Sequence, residues 1–173
     1  MDYMYGNDKL LNISTFVQAA NKYHNIKYCN DIEQYSSLKL YSRLSDQNCI
    51  SKGSQYLASN SGTFHAKLLK FKLRTGILGL GEDLFRQKRG DGFCKLCGSF
   101  ESVKHFVFVC PFYSSYRKTM FDKLLVYNVN KFSMFISNFD FALTTVLGSN
   151  DDYFNKIFLS FLENAWILRK NAS

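Results

Sequence analysis

Apolar positions recur at helical intervals along most of the chain. Asn12 or Ser14 can cap a helix with Ile13, Phe16, Val17, Ala20 and His24 on one face, and Asn30 or Asp31 can cap a second with Ile32, Tyr35, Leu38 and Tyr41 at intervals of three. Residues 51 to 62 (SKGSQYLASNSG) have the composition of a loop and suggest a boundary between an N-terminal helical segment, 1–60, and a helical domain, 62–173. Phe64, Leu68 and Phe71 then form a stripe flanked by Leu69 and Leu73, with Lys67, Lys70, Lys72 and Arg74 on much of the remaining surface. This predicts a helix ending near Gly76, with one buried and one basic side.

Residues 76 to 93 hold five glycines and support no more than a short helix over 82–88, because each interior Gly costs roughly 1 kcal/mol relative to Ala. Pro111 suits a first helical turn, followed by Tyr113, Tyr116, Met120 and Leu124 at helical spacing. Asn130 can start a short helix with Phe132, Phe135, Ile136 and Phe139 inward. A last helix starts near Asn150 or Asp151 and carries Phe154, Ile157, Phe158, Phe161, Ala165 and Leu168, with Arg169 and Lys170 at its favourable C-terminal end. The expected fold is all-α with a small irregular insert at 93–111.

That insert carries the chemistry. Residues 94–110 contain Cys94-x2-Cys97-x7-His105-x4-Cys110. Two thiolates separated by two residues can point from one turn at a single ion, with Gly98 helping the backbone close, and His105 and Cys110 supply the remaining corners of a tetrahedral Zn2+ site. Four protein ligands leave no position for water, so the site is structural. Three thiolates and one imidazole suit a redox-inert ion better than an iron–sulfur cluster, which typically takes four thiolates. Cys29 and Cys49 read as small buried apolar residues. Phe106 to Val109 read as a short strand or helical turn packing the insert onto the core.

Composition narrows the class. At 173 residues, with 46% hydrophobic and 21% charged positions, the chain can build one core. No apolar run reaches membrane-spanning length, and the polar, acidic Met1–Leu10 does not resemble a secretory signal, so an intracellular protein is expected. The net charge of +8 is concentrated: between His65 and Lys95, eight Lys or Arg face three acids. Lys67, Lys70, Arg74, Arg86, Lys88, Arg89 and Lys95, with Lys104 beyond the first Cys pair, are therefore candidate contacts to RNA or DNA phosphates, Arg74 being either a contact or a buried support for the loop, and Arg117 and Lys118 extend the set. No P-loop, HExxH or paired-carboxylate pattern is present, so an enzyme centre is not expected.

The stretch from Leu73 to Tyr113 resembles the zinc-binding region at the C-terminal end of reverse transcriptases encoded by non-LTR retrotransposons. The resemblance rests on Leu73, Arg74, Thr75 and Gly76; on Cys94 and Cys97; on Glu101 four residues before His105; on Phe106, Val107 and Phe108; and on Cys110, Pro111 and Tyr113. It implies a polyprotein tail that binds template RNA or target DNA beside a polymerase domain. The Tyr-x-Asp-Asp signature of a polymerase palm is missing, which implies a fragment, a degenerate copy or a stand-alone derivative without transferase activity of its own. The expected function is thus a zinc-stabilised nucleic-acid-binding module. The alternative is a zinc-stapled structural or protein-interaction module, for which an exposed patch of Phe132, Phe135, Phe139 and Phe154 would speak.

Overall fold

The computed structural model describes residues 55–127 and 138–172, together with scattered positions between 15 and 35. Those scattered positions are helical from 15 to 34. The expected caps of the first helix, Asn12 and Ser14, most face residues of both N-terminal helices, the expected helix from Asn130, and Cys29, Cys49, Phe132 and Phe135 lie outside the described residues, whereas Asn30 and Asp31, expected to cap the second helix, are themselves helical and exposed.

The helices are α1 (Gln55–Ala58), α2 (Phe64–Thr75), α3 (Gly81–Arg86), α4 (Ser114–Tyr127), α5 (Phe139–Gly148) and α6 (Asp152–Asn171). Among the described residues the extended structure is a single antiparallel bridge, Phe93 with Phe100, so the domain is all-helical around a small irregular insert. Helix limits follow local chemistry. The Thr63 hydroxyl accepts from the Ala66 N–H, opening α2, and Gly76 closes it at φ 64°, where the Ile77 N–H returns to the Lys72 carbonyl. Asp151 caps α6 by accepting from the Phe154 N–H, and Pro111 starts a 3-10 turn that leads into α4.

The long α6 is the spine. It packs against α2, α4 and α5, burying Ile157, Phe158, Leu159, Phe161, Leu162 and Ala165. Helix α5 was not anticipated from the sequence. Asn138 caps it, and Ala142, Leu143, Val146 and Leu147 turn inward. Phe139, expected inward on the preceding helix, instead opens α5 and stacks on Phe108 at 5.6 Å while staying partly exposed.

Two expectations are corrected. Residues 55–58, read as loop, form a helical turn whose Tyr56 is fully buried. On α2 the buried face is rotated from the expected one: Leu69 and Leu73 are buried as expected and Leu68 and Phe71 are half-buried, but Phe64 is 81% exposed, and Lys67, Lys70 and Arg74 are buried with Ala66. The inward cations survive because acceptors meet them. Lys67 Nζ donates to the carbonyls of Leu57 and Ser59. Lys70 Nζ donates to Asn155 Oδ1 at 2.5 Å and the Ser149 carbonyl at 3.3 Å, and it sits 4.6 Å from the centre of the Tyr56 ring. The Arg74 guanidinium lies over the same ring at 5.3 Å.

Candidate metal centre

The first half of the site is a knuckle built on the Phe93–Phe100 bridge. The Cys94 N–H donates to the Ser99 carbonyl at 2.7 Å and the Gly98 N–H to the Cys94 carbonyl at 2.8 Å, which curls Cys94 and Cys97 toward one point. Gly98 closes this turn at φ 75°, a conformation that resists side chains.

The second half is a wide turn. Ser102 starts it by accepting from the His105 N–H, and His105–Val109 continues as a π-helical turn closed by Cys110 N–H to His105 C=O at 2.8 Å. In an α-helix, residues five apart diverge by about 140° around the axis. The wider π turn reduces that divergence, so His105 and Cys110 face the same point, a local irregularity of the kind often found at sites.

The four side chains Cys94, Cys97, His105 and Cys110 converge, with their ligand atoms all within 4.8 Å of one another. Cys94 Sγ lies 4.0 Å from Cys110 Sγ, Cys97 Sγ 3.9 Å from Cys110 Sγ, and Cys97 Sγ 3.2 Å from His105 Nε2. These separations are far too long for a disulfide. They match the edges of a tetrahedron around zinc, about 3.8 Å between thiolates at normal Zn–S bond lengths. The donor set therefore fits one Zn2+, which would supply a structural cross-link rather than an activated water.

Electrostatics agree with that assignment. Burial pushes the Cys94 thiol up and lifts Cys110 to about 12, with the neighbouring Cys94 adding to the effect on Cys110. Burial also opposes ionisation of Cys97, but hydrogen bonds from Ser99 and the neighbouring thiols outweigh it and hold Cys97 below its ordinary value. Burial lowers His105, favouring the neutral imidazole that ligates. Cys94 and Cys110, whose burial opposes ionisation, would become thiolates beside a bound cation, a role that Zn2+ fits.

Around the ligands stands a supporting shell that sequence reasoning largely missed. Arg117, expected as an outer cation, is buried and donates to the carbonyls of Cys110 at 2.8 Å and Val107 at 3.3 Å. Glu101, noted in the sequence only through the family resemblance, is 1% exposed. It takes both Arg169 Nε and Nη2 at 2.7 Å and accepts the Gly81 N–H at 2.6 Å. One carboxylate thus ties the knuckle to the start of α3 and to the end of α6. Its position four residues before His105 was the available signal; its partner, 68 residues away, left none. Phe106 and Val107, with Phe108, are buried, and Phe106 packs on Tyr113 at 5.0 Å and Phe161 at 6.5 Å, which plugs the π turn into the helical core.

The remaining candidate contacts divide by burial. Arg86 bridges Asp83 and the Gly76 carbonyl beside α3, and Lys67, Lys70 and Arg74 are inside the fold. Lys88, Arg89 and Lys95 are exposed on the turns around the knuckle, and Lys104 is exposed on its far side near Asp140 and Phe139. No helix among the described residues is long and apolar enough to cross a membrane. No family model, curated protein or solved structure matches the chain.

Proposed function

We propose that the chain is a zinc-stapled binding module, in which the metal holds the knuckle rigid and the surface around it meets a partner. The observation that carries this reading is the closed four-donor cluster, backed by Glu101 and Arg117. Such a site contributes folding free energy and leaves no coordination position for chemistry. The purified chain is expected to hold one zinc. Co2+ substitution should give the visible bands of a tetrahedral, thiolate-rich site, and Cys97→Ser should abolish stoichiometric metal binding. A full-length, folded chain that binds no zinc or cobalt would sink the proposal.

A second, sharper reading takes RNA or DNA as the partner, held through phosphates. It is favoured by the exposure of Lys88, Arg89, Lys95 and Lys104 around the knuckle. It also accords with the resemblance to the zinc-binding region of non-LTR retrotransposon reverse transcriptases, in which case a polymerase domain would be the neighbour in a parent protein. Electrostatic binding of this kind weakens steeply as salt rises, so a salt-insensitive or absent interaction with oligonucleotides would exclude it while leaving the staple intact.

A further inference from the structure

Exposed single aromatics are ordinary on protein surfaces; a contiguous set is not. Phe85, Phe93 and Phe100 are 59%, 51% and 47% exposed, respectively. They also touch. The Phe100 ring lies between the other two, 6.4 Å from each ring centre and close to perpendicular to both, at 80° and 87°.

The backbone holds this cluster in place. Phe93 and Phe100 face each other across the antiparallel bridge that shapes the knuckle, and Phe85 comes from the last turn of α3. Gly92, at φ 89°, leaves room for the Phe100 ring: a Cβ there would approach the ring to 2.7 Å. The Cys94–Cys97 turn begins one residue after Phe93, so two of the candidate metal ligands and two of the three rings share one short segment.

The rim of the cluster is cationic. The Lys88 N–H returns to the Phe85 carbonyl at 2.9 Å and the Arg89 N–H to the Leu84 carbonyl at 2.8 Å, which fixes both residues beside Phe85. Lys88 adopts φ 56°, a left-handed conformation that side chains normally avoid. Lys95 projects from the turn between Cys94 and Cys97. The acid in this stretch, Asp91, has its carboxylate engaged by the Phe93 N–H at 3.0 Å.

From this juxtaposition we infer that Phe85, Phe93 and Phe100 form a stacking platform for unpaired bases of a single-stranded nucleic acid, with Lys88, Arg89 and Lys95 on its phosphates. The inference deepens the nucleic-acid reading above and rests on it. Single strands are selected over duplexes because a duplex keeps its base faces inside its own stack and can offer the rim only phosphates. An apolar protein partner would use the rings but leave the cations without counter-charge. Bases on a phosphate chain use both, and stacking tolerates any base because every base has a π-face.

The test is fluorescence anisotropy with the full-length, zinc-loaded chain. The probes are labelled oligo(dT) and oligo(rU) of about twelve nucleotides, beside a DNA duplex of equal length, at about 50 and 200 mM salt. Phe85→Ala/Phe93→Ala removes exposed rings and should keep zinc content and thermal stability. It is expected to lower single-strand affinity about tenfold or more while leaving duplex binding unchanged. Lys88→Glu/Lys95→Glu should weaken both and flatten the salt dependence. If the ring variant binds single strands as tightly as wild type while the charge variant weakens, phosphate binding stands and the stacking platform is overturned. If the folded, zinc-loaded chain binds no oligonucleotide at low salt, both fall. A dimer broken by Phe85→Ala/Phe93→Ala, without oligonucleotide binding, would assign the face to a second copy of the chain and overturn the platform.

Discussion

Lys70 shows how one residue can leave a pH signature on the whole domain. Burial, with Arg74 nearby, lowers its pKa from 10.5 to about 7. In the unfolded chain the amine stays protonated up to 10.5, so between about 7 and 10.5 the unfolded state binds more protons than the folded one. Stability must then rise with pH across that window, and the gain is lost as pH falls through about 7. Zinc-saturated urea titrations at several pH values should show this rise in wild type and a flatter profile in Lys70→Met. Equal slopes in the two proteins would show that Lys70 is not desolvated. Glu101 supplies the complementary case, a buried acid satisfied by its cation. Arg169→Met leaves that carboxylate buried without a counter-charge and should cost about 3–5 kcal/mol, whereas adding Glu101→Gln should recover part of the loss by removing the unpaired charge. Denaturation midpoints of the single and double variants decide it. Neither role could be read from the sequence alone. Lys70 sits on a helix whose lysines looked like a solvated side, and Arg169 looked like a charge suited to a helix end.

Among the elements, α2 explains why periodicity found the helix but not its orientation. Phe64, Leu68 and Phe71 are spaced as regularly as Ala66, Leu69 and Leu73. Spacing fixes that there is a helix, but which stripe is buried depends on what packs there. Here Tyr56, Ser149 and Asn155 supply a ring and oxygen acceptors on the side that carries the lysines. Helix α3 poses the tightest constraint. A Cβ at Gly81 would lie 2.4 Å from the Gly92 carbonyl oxygen and 3.0 Å from Glu101 Cβ. Alanine improves intrinsic helix propensity by up to about 1 kcal/mol. A backbone oxygen cannot rotate out of the way as a side chain can, so the clash dominates. Gly81→Ala should therefore destabilise the fold by about 1–3 kcal/mol in equilibrium unfolding and loosen the knuckle that Gly92 enters. A neutral or stabilising result would mean that α3 is free to move away from the insert.

For the molecule as a whole, the knuckle and the helices share one core. Phe106 belongs to the π turn between two metal ligands and packs on α6 through Phe161, while Glu101 reaches the end of the same helix. Chelating the zinc should therefore lower Tm for the helical domain in a single transition, with far-UV and near-UV circular dichroism changing together. If the helical signal kept its Tm while amide exchange collapsed only across 93–110, the insert and the helices would be separate cooperative units. The sequence by itself determined the local chemistry: the ligand spacing of Cys94, Cys97, His105 and Cys110, and the helix ends at Gly76 and Asp151. Caps and short-spaced ligands act over a few residues, so their signals are written contiguously in the chain. Only the tertiary structure decided that Lys67, Lys70 and Arg74 turn inward, that Glu101 meets Arg169, and that Phe85 joins Phe93 and Phe100 at the surface. Desolvation and ion pairing depend on neighbours brought from distant positions, and no local pattern encodes which neighbours those will be.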